Sequence, residues 1–134
     1  MPAPISCDQD APRRLHPPIH VALVRPQDPS NAGNVARTCA AFGVPLHLIG
    51  TIGFEIDDAA FRRAGVDTWP QVELHRHHHL SDLLKLTAGR AMAFMTRGAK
   101  TLDETRFEMG DVLVFGHEET GLLDEDLAGC PHIP

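Results

Sequence analysis

Residues 19–49 read IHVALVRPQDPSNAGNVARTCAAFGVPLHLI, and this stretch decides the fold. Ile19–Val24 is rich in β-branched and aliphatic residues and predicts a buried strand. Leu46–Ile49 predicts a second strand. A helical pattern separates the two, so the stretch is expected to form a strand–helix–strand unit with parallel strands.

The helix of this unit is predicted from Val35, Cys39 and Phe42, which recur at helical spacing. Asn31 is the expected N-cap residue, and Gly43 is expected to end the helix. The segment before the helix, residues 25–30, contains two prolines and is expected to be an open loop.

The rest of the chain continues this alternation of strands and helices. The predicted elements are a helix over 57–64, a weaker strand over 72–75, a helix over 82–86 capped by Ser81, strands over 91–95 and 112–115, and a helical turn near 123–128. This rhythm indicates an α/β domain with a mainly parallel sheet flanked by helices. Such sheets bind ligands beyond the carboxyl ends of their strands, which directs attention to loops 25–37, 96–101 and 116–122.

Length and composition favour one globular domain. The chain has 134 residues, of which 43% are hydrophobic and 22% are charged, so wholesale disorder is excluded. No apolar run is long enough for a membrane span. Residues 1–18 contain five prolines and are expected to be a disordered tail, with the domain covering 19–134. Three cysteines without CxxC spacing favour a reducing compartment, so a cytoplasmic protein is expected.

The net charge of −6 is unevenly distributed. Residues 19–100 carry nine Lys or Arg against seven Asp or Glu, whereas residues 101–134 carry one against nine. The acidity therefore belongs to the C-terminal quarter, and the middle of the chain is free to face a phosphate backbone.

The first candidate site is the segment from Asn31 to Arg37. Two asparagines, Gly33 and an arginine follow the first strand within a few residues. If the helix starts at Asn31, Arg37 lies one turn in and presents its donors beside a helix N-terminus, where anions bind. The alternative is an N-capped surface helix with a solvated arginine.

The second candidate site is Phe115–Leu122, FGHEETGL. A strand leads into a glycine-rich loop, but carboxylates stand where a phosphate-binding loop carries Lys and Ser or Thr, so triphosphate binding is disfavoured. Such a loop suits a ligand with hydroxyl groups or a positive charge, such as a ribose or a sulfonium. A plain surface turn is the alternative.

The third candidate is the run His75-Arg76-His77-His78-His79. On an extended segment His75, His77 and His79 share a face, and three imidazoles can hold zinc. A solvated and partly protonated loop is the favoured interpretation, so no metal is expected. The absence of a Gly-x-Ser-x-Gly or Gly-x-Gly-x-x-Gly motif disfavours hydrolases and dinucleotide enzymes.

Two of these sites resemble the motifs of a known family. Asn31-x-Gly33-Asn34-x-x-Arg37 and Phe115-Gly116-x-Glu118-x-x-Gly121-Leu122 resemble the first and second motifs of the SpoU-type RNA 2′-O-methyltransferases, in the knotted SPOUT superfamily. Three further segments resemble a narrower group, the TrmL-like enzymes that methylate the wobble nucleotide, position 34, of certain tRNAs. These segments are Gly53-Phe54, Asp57-Asp58 and Arg63-Ala64-Gly65-Val66-Asp67-x-Trp69.

The resemblance implies roles for individual residues. It makes Arg37 the catalytic arginine, with Asn31 and Asn34 shaping its surroundings. It implies that S-adenosylmethionine is bound at the positions Phe94, Gly116, Glu118, Gly121 and Ile133. Within this set, Glu118 and Gly121 are expected to hold the loop of the second motif. The substrate-binding residues that it implies are Arg63, Asp67 and Trp69.

The resemblance also implies a SPOUT α/β-knot fold, a homodimer and the anticodon region of a tRNA as partner. His132-Ile133-Pro134 is similar to the opening of the third motif, after which the family continues with a Ser/Asn-rich loop and a helix. We therefore expect a C-terminally incomplete knot. The alternative function is a non-catalytic remnant or an RNA-binding fragment of such an enzyme.

Overall fold

The computed structural model describes residues 19–54, 72–87, 90–94, 106–124 and 126. Five strands and two helices lie in these ranges: β1 (Ile19–Val24), α1 (Pro29–Phe42), β2 (Leu46–Ile49), β3 (Leu74–His77), α2 (Leu80–Leu84), β4 (Ala91–Phe94) and β5 (Asp111–Phe115).

The five strands form one parallel sheet in the order β3-β2-β1-β5-β4. Leu23 lies at the centre, opposite Leu48 of β2 and Phe115 of β5. β2 and β3 lie on one side of β1, while β5 and β4 lie on the other. The carboxyl ends of β1 and β5 therefore border the crevice where this type of sheet binds ligands. The predicted α/β class and parallel sheet are confirmed.

Each face of the sheet buries its own apolar cluster. On one face α1 packs Ala32, Ala36 and Cys39 against residues of β1, β2 and β3 such as Leu48. The other face packs Leu80 and Leu83 of α2 against β1, β2, β4 and β5. The alternation of side chains along a strand divides the two clusters, because neighbouring residues point to opposite faces.

The start of α1 differs from the prediction. The N-cap residue is Asp28, whose carboxylate accepts hydrogen bonds from the backbone N–H of Ser30 at 2.9 Å and of Asn31 at 3.4 Å. Pro29 does not hold a loop open but opens the helix, because the first helical residue needs no N–H donor. The predicted N-cap at Asn31 is therefore wrong, whereas the predicted end is confirmed: Gly43 adopts a left-handed φ of 67°.

The β3–α2 region is also displaced from its predicted position. The strand covers Leu74–His77 rather than 72–75, because pairing with β2 sets Leu46 opposite Leu74. The helix is Leu80–Leu84 and His79 occupies its N-cap position, with its backbone N–H donating to Asp82 at 3.2 Å. Ser81 lies inside the helix and does not cap it.

Several sequence-based predictions fall outside the described ranges. They concern the tail 1–18, the helix over 57–64, the loop 96–101 and the C-terminal segment after 126. Within the described ranges, the longest helix has 14 residues, and no helix is long and apolar enough to cross a membrane.

Candidate active site

The two motif segments meet at the carboxyl ends of β1 and β5. Glu118, in the loop after β5, accepts hydrogen bonds from the backbone N–H of Gln27 at 3.0 and 3.1 Å and of Asp28 at 3.0 Å. Gln27 and Asp28 lie directly before α1, which carries the first motif. One carboxylate therefore joins segments that are about 90 residues apart in sequence.

The environment of Glu118 keeps its carboxylate ionised. Partial burial alone would raise its pKa, but hydrogen bonds from backbone N–H groups, including those of Asp28 and Gln27, lower the pKa below its ordinary value. The side chain holds the loop and the start of α1 together, which agrees with the expectation that Glu118 holds this loop. Contact between Glu118 and the cofactor stays a prediction.

The loop after β5 is closed by its own backbone. His117 and Gly121 exchange hydrogen bonds, from the His117 N–H at 3.2 Å and from the Gly121 N–H at 2.8 Å. Nδ1 of His117 accepts from the backbone N–H groups of Glu119 and Thr120. A side chain at Gly116 would collide with the backbone of Gly121 and Leu122, so this position requires glycine.

Gly121 leaves the opposite side of the loop open. Its φ is +68°, and a Cβ at this position would meet no atom within 4 Å. A ligand can therefore approach the Gly121 backbone closely. This open side of the loop, which we call the cradle, lies at the ends of β4 and β5. The second motif implies that S-adenosylmethionine binds here.

An ion pair that the sequence does not predict supports the same loop. Arg25 donates to both carboxylate oxygens of Asp126, at 3.0 and 2.8 Å, and to the carbonyl oxygen of Gly121 at 3.3 Å. Asp126 lies 101 residues after Arg25, and no local pattern signals the pairing. The available signal was positional, since Arg25 is the first residue beyond the carboxyl end of β1.

A cavity of about 540 Å³ opens beside this ion pair. Its lining combines apolar residues at the ends of β1 and β2, such as Val24 and Ile49, with the polar side chains of Thr51 and Ser81. A volume in this range accommodates a small molecule or a nucleotide.

Gly53, which belongs to a segment that resembles the TrmL-like enzymes, is packed against Gln27. A side chain at Gly53 would collide with the Gln27 side chain, and the Gly53 N–H donates to the carbonyl of Pro26 at 3.0 Å. The Gln27 amide donates to the carbonyl oxygens of Arg25 and Thr51. This packing connects the segment after β2 to the segment that Glu118 holds.

The three polar residues of the first motif lie on α1. Asn31, Asn34 and Arg37 are all exposed and follow one another at intervals of three residues along one side of the helix. Since α1 begins at Pro29, Arg37 lies two turns into the helix instead of one. Arg37 therefore lies farther from the helix N-terminus than expected, while the placement of its guanidinium stays a prediction.

An apolar groove of about 520 Å³ lies between α1 and the strands β1 and β5. Asn34 and Phe42 of α1 and Phe115 of β5 are among the residues that line it. The Phe115 ring stacks on the ring of Phe94, at a centroid distance of 4.7 Å. Phe94 thus lies at the end of β4, next to the loop that begins at Gly116.

Four histidines form a separate cluster on the face of the sheet opposite to α1. Nδ1 of His20 lies 3.0 Å from Nε2 of His47, and Nδ1 of His47 lies 3.0 Å from Nε2 of His77. The His75 ring stacks on His47, and its Nε2 lies 2.6 Å from Glu73. Burial lowers the pKa of His20, lowers that of His47 further, and lowers that of His77 to about 4, so these three rings are neutral near pH 7.

The predicted solvated histidine loop is therefore wrong for His75 and His77, which are buried in β3 because neighbouring imidazoles and Glu73 provide hydrogen-bond partners. His79 is exposed beyond the strand. His47 contacts its two neighbours through opposite ring nitrogens, which forms a chain and not a convergent ligand set. In the part of the chain that the structure describes, no group of three or more His, Cys, Asp or Glu residues is arranged to hold a metal ion.

The remaining expected site residues lie outside the described ranges. These are Arg63, Asp67, Trp69 and Ile133. The described part of the site consists of the α1 residues, the loop 116–122 and the end of β4.

Comparisons with known proteins show which family the chain is similar to. The profile of the SpoU rRNA Methylase family matches residues 18–134. A tRNA (cytidine(34)-2′-O)-methyltransferase of Burkholderia pseudomallei (strain 1106a) is 42% identical over 107 residues, which cover 78% of this chain and 69% of the relative. A protein of the same name from Polaromonas sp. (strain JS666 / ATCC BAA-500) is 42% identical over 110 residues, covering 80% and 67%.

Solved structures are similar as well. One, described as giving structural insights into the 2-OH methylation of C/U34 on tRNA, has a TM-score of 0.77 and 45% identity, and the match covers 86% of this chain and 77% of that chain. The SpoU methyltransferase AviRb from Streptomyces viridochromogenes, solved in complex with AdoMet, has a TM-score of 0.78 at 19% identity, covering 96% and 54%. At that identity the second similarity concerns the fold alone.

Proposed function

Because the chain belongs to the SpoU rRNA methylase family, we propose that it transfers a methyl group from S-adenosylmethionine to a tRNA. The acceptor is the ribose 2′-hydroxyl of nucleotide 34, the wobble position. The relatives named for this reaction, and the solved structure described for C/U34 methylation, support the assignment.

One observation carries the proposal for the site: Glu118 of the second motif holds the backbone that leads into α1, which bears the first motif. This contact links the loop expected to bind the cofactor to the start of the helix that carries the residues expected to act on the RNA. When bound, S-adenosylmethionine supplies an electrophilic methyl group. The loop at Gly116 and Gly121 and the end of β4 at Phe94 would hold it, together with Ile133.

Arg37 is the proposed catalytic residue. An arginine guanidinium carries five N–H donors in a planar fork, so it is suited to orient an RNA phosphate or to stabilise the developing alkoxide of the ribose. Asn31 and Asn34 are exposed on the same side of α1 and can contact the same nucleotide. Arg63, Asp67 and Trp69 complete the proposal as RNA-binding residues.

We also propose that the domain spans residues 19–134 and acts as a cytoplasmic homodimer on the anticodon region of its tRNA. Phe42 is 73% exposed at the end of α1, and it borders the apolar groove that includes Phe115. Exposed apolar surface of this kind is typical of protein interfaces. A second copy of the chain would cover it.

The test is a methyl-transfer assay with labelled S-adenosylmethionine and tRNA transcripts that carry C or U at position 34. We expect label at position 34 only. A matched transcript with a 2′-deoxy nucleotide at that position lacks the acceptor oxygen and should take up none. Equal labelling of both transcripts would contradict the proposal.

Calorimetry with S-adenosylhomocysteine tests the cofactor separately from the RNA. Micromolar binding by the full chain would exclude the alternative of a non-catalytic remnant. An absence of binding, together with retained binding of tRNA, would favour that alternative.

A further inference from the structure

Arg25 has an unusual backbone for an arginine. Its φ is 52°, in the left-handed region that side chains other than glycine rarely adopt. Its N–H still donates to the carbonyl of Ile49 at 2.8 Å, so the residue is held at the end of the sheet. A Cβ at Gly50 would lie 3.2 Å from Cγ of Arg25, so a side chain there would crowd the arginine stem.

The guanidinium of Arg25 reaches two separate parts of the chain. It forms a two-pronged ion pair with Asp126 and donates to the carbonyl oxygen of Gly121. The side chains are 24% and 9% exposed, so solvent screens this pair less than a surface pair. Asp126 also accepts from the backbone N–H of Leu123 at 2.8 Å.

These contacts place Gly121 and the turn that follows it against the end of β1. The loop 116–121 closes on itself through His117, but its position relative to the sheet depends on contacts from outside. Glu118 provides one contact, with the backbone N–H of Gln27. Arg25 provides another, with the carbonyl oxygen of Gly121 at the end of the loop. A solvated surface arginine would not require a left-handed backbone.

We propose that Arg25 and Asp126 are positioning residues that hold the loop 116–122 in its cofactor-binding shape. The proposal rests on the proposed function, in which this loop contacts S-adenosylmethionine. We call the Arg25–Asp126 ion pair the clamp. Without it, the loop leaves its cofactor-binding position in part of the molecules. The apparent affinity for the cofactor then falls in proportion to the fraction of molecules in which the loop is in the binding position.

Three variants separate the clamp from general stability. Arg25→Asn removes the guanidinium but keeps a residue that tolerates a left-handed backbone. Arg25→Lys keeps the charge without the two-pronged geometry. Arg90→Lys is the matched control, because Arg90 forms the same kind of pair with Asp111, at 3.1 Å, at the opposite end of the sheet.

For Arg25→Asn we expect about a tenfold weaker Kd for S-adenosylhomocysteine and a similar rise in the KM for S-adenosylmethionine. The kcat at saturating cofactor should stay within about twofold of wild type, because bound cofactor restores the closed loop. Arg25→Lys should recover part of the affinity. In amide exchange, the Leu123 N–H, which donates to Asp126, should exchange faster, while amides of β1 keep their protection.

The control defines what a purely structural role would look like. Arg90→Lys should lower Tm without changing the cofactor Kd. If Arg25→Asn behaved in the same way, with unchanged Kd and unchanged exchange of the Leu123 N–H, the clamp would be overturned while the methyltransferase function stood. Failure of the wild-type chain to bind S-adenosylhomocysteine would overturn the proposed function and the clamp's cofactor role together.

Discussion

Glu118 accepts a hydrogen bond from the backbone N–H of Asp28 at 3.0 Å, and the carboxylate of Asp28 in turn caps α1. The second motif thus fixes the residue that starts the helix of the first motif. Glu118 and Asp28 thereby connect the loop 116–122 to the helix that carries Asn31, Asn34 and Arg37.

Glu118→Ala should therefore reduce both stability and methyl transfer. Loss of charge-assisted hydrogen bonds at a partly exposed site is expected to cost about 1–2 kcal/mol of unfolding free energy. Methyl transfer should fall at least about tenfold, because the two motifs lose their alignment. Chemical denaturation and the tRNA assay measure the two effects.

The control for this prediction is Glu119→Ala. Glu119 is exposed and contributes its backbone N–H, not its carboxylate, to the described hydrogen bond with His117. This variant should resemble wild type in both measurements. Equal effects of the two substitutions would show that the loop tolerates no change, and would remove the specific role of Glu118.

The sequence predicts the sheet well because hydrophobic periodicity is a local property. The bounds of β1 and β2 match the prediction, and the end of α1 at Gly43 follows from the freedom of glycine to adopt positive φ. The start of α1 is ambiguous in the sequence because two good cap residues, Asp28 and Asn31, lie close together. Pro29 decides between them, since proline fits the first turn of a helix.

Contacts between distant residues could not be predicted in this way. Nothing near Arg25 indicates that Asp126 is its partner, and nothing near His47 indicates that His20 and His77 contact it. Polar residues in strands resemble loop residues until their partners are known. The register of the parallel sheet is what brings these histidines together.

Arg37→Ala should abolish methyl transfer and leave cofactor binding nearly intact. Arg37 is exposed in the middle of α1, so its truncation should change the unfolding free energy by no more than about 0.5 kcal/mol. Single-turnover assays and calorimetry with S-adenosylhomocysteine measure the two properties. Lys85→Ala, which removes another exposed basic side chain, is the control and should remain active. Parallel losses of binding and transfer in Arg37→Ala would contradict a catalytic role.

Gly116→Ala should damage the loop more than Gly121→Ala. A Cβ at Gly116 would collide with backbone atoms, which cannot move without opening the loop, and such overpacking costs about 1–3 kcal/mol. Gly121 has open space around it, and alanine there bears only the left-handed backbone penalty of about 1–2 kcal/mol. Thermal unfolding and cofactor calorimetry on both variants test this order. A Gly116→Ala variant with wild-type affinity would show that the collision is relieved elsewhere.

The histidine chain should make the protein less stable in mild acid. Burial lowers the pKa of His47 and His77 in the folded state, so the unfolded chain takes up protons first as the pH falls. The free energy of unfolding is therefore highest above about pH 6.5. It falls progressively toward pH 4, where His77 itself titrates in the folded protein. We expect Tm to fall by about 5 °C or more between pH 7.5 and pH 5.

Variants identify the histidines responsible for this acid sensitivity. His47→Phe removes the central ring of the chain and should flatten the dependence of Tm on pH, although Tm at pH 7.5 also falls. His78→Ala, at an exposed neighbour of β3, should keep the wild-type slope. A wild-type slope in His47→Phe would assign the acid sensitivity to other groups.

The proposed homodimer predicts an effect of Phe42 on association. Phe42 is 73% exposed and borders the apolar groove beside Phe115, so an aspartate at position 42 would place a charge in the proposed interface. We expect Phe42→Asp to weaken dimerisation at least tenfold, measured by light scattering over a dilution series. Met109→Ser is the matched control, because Met109 is 74% exposed and is not among the groove-lining residues. A dimer that survives Phe42→Asp at every concentration would place the interface on another surface of the domain.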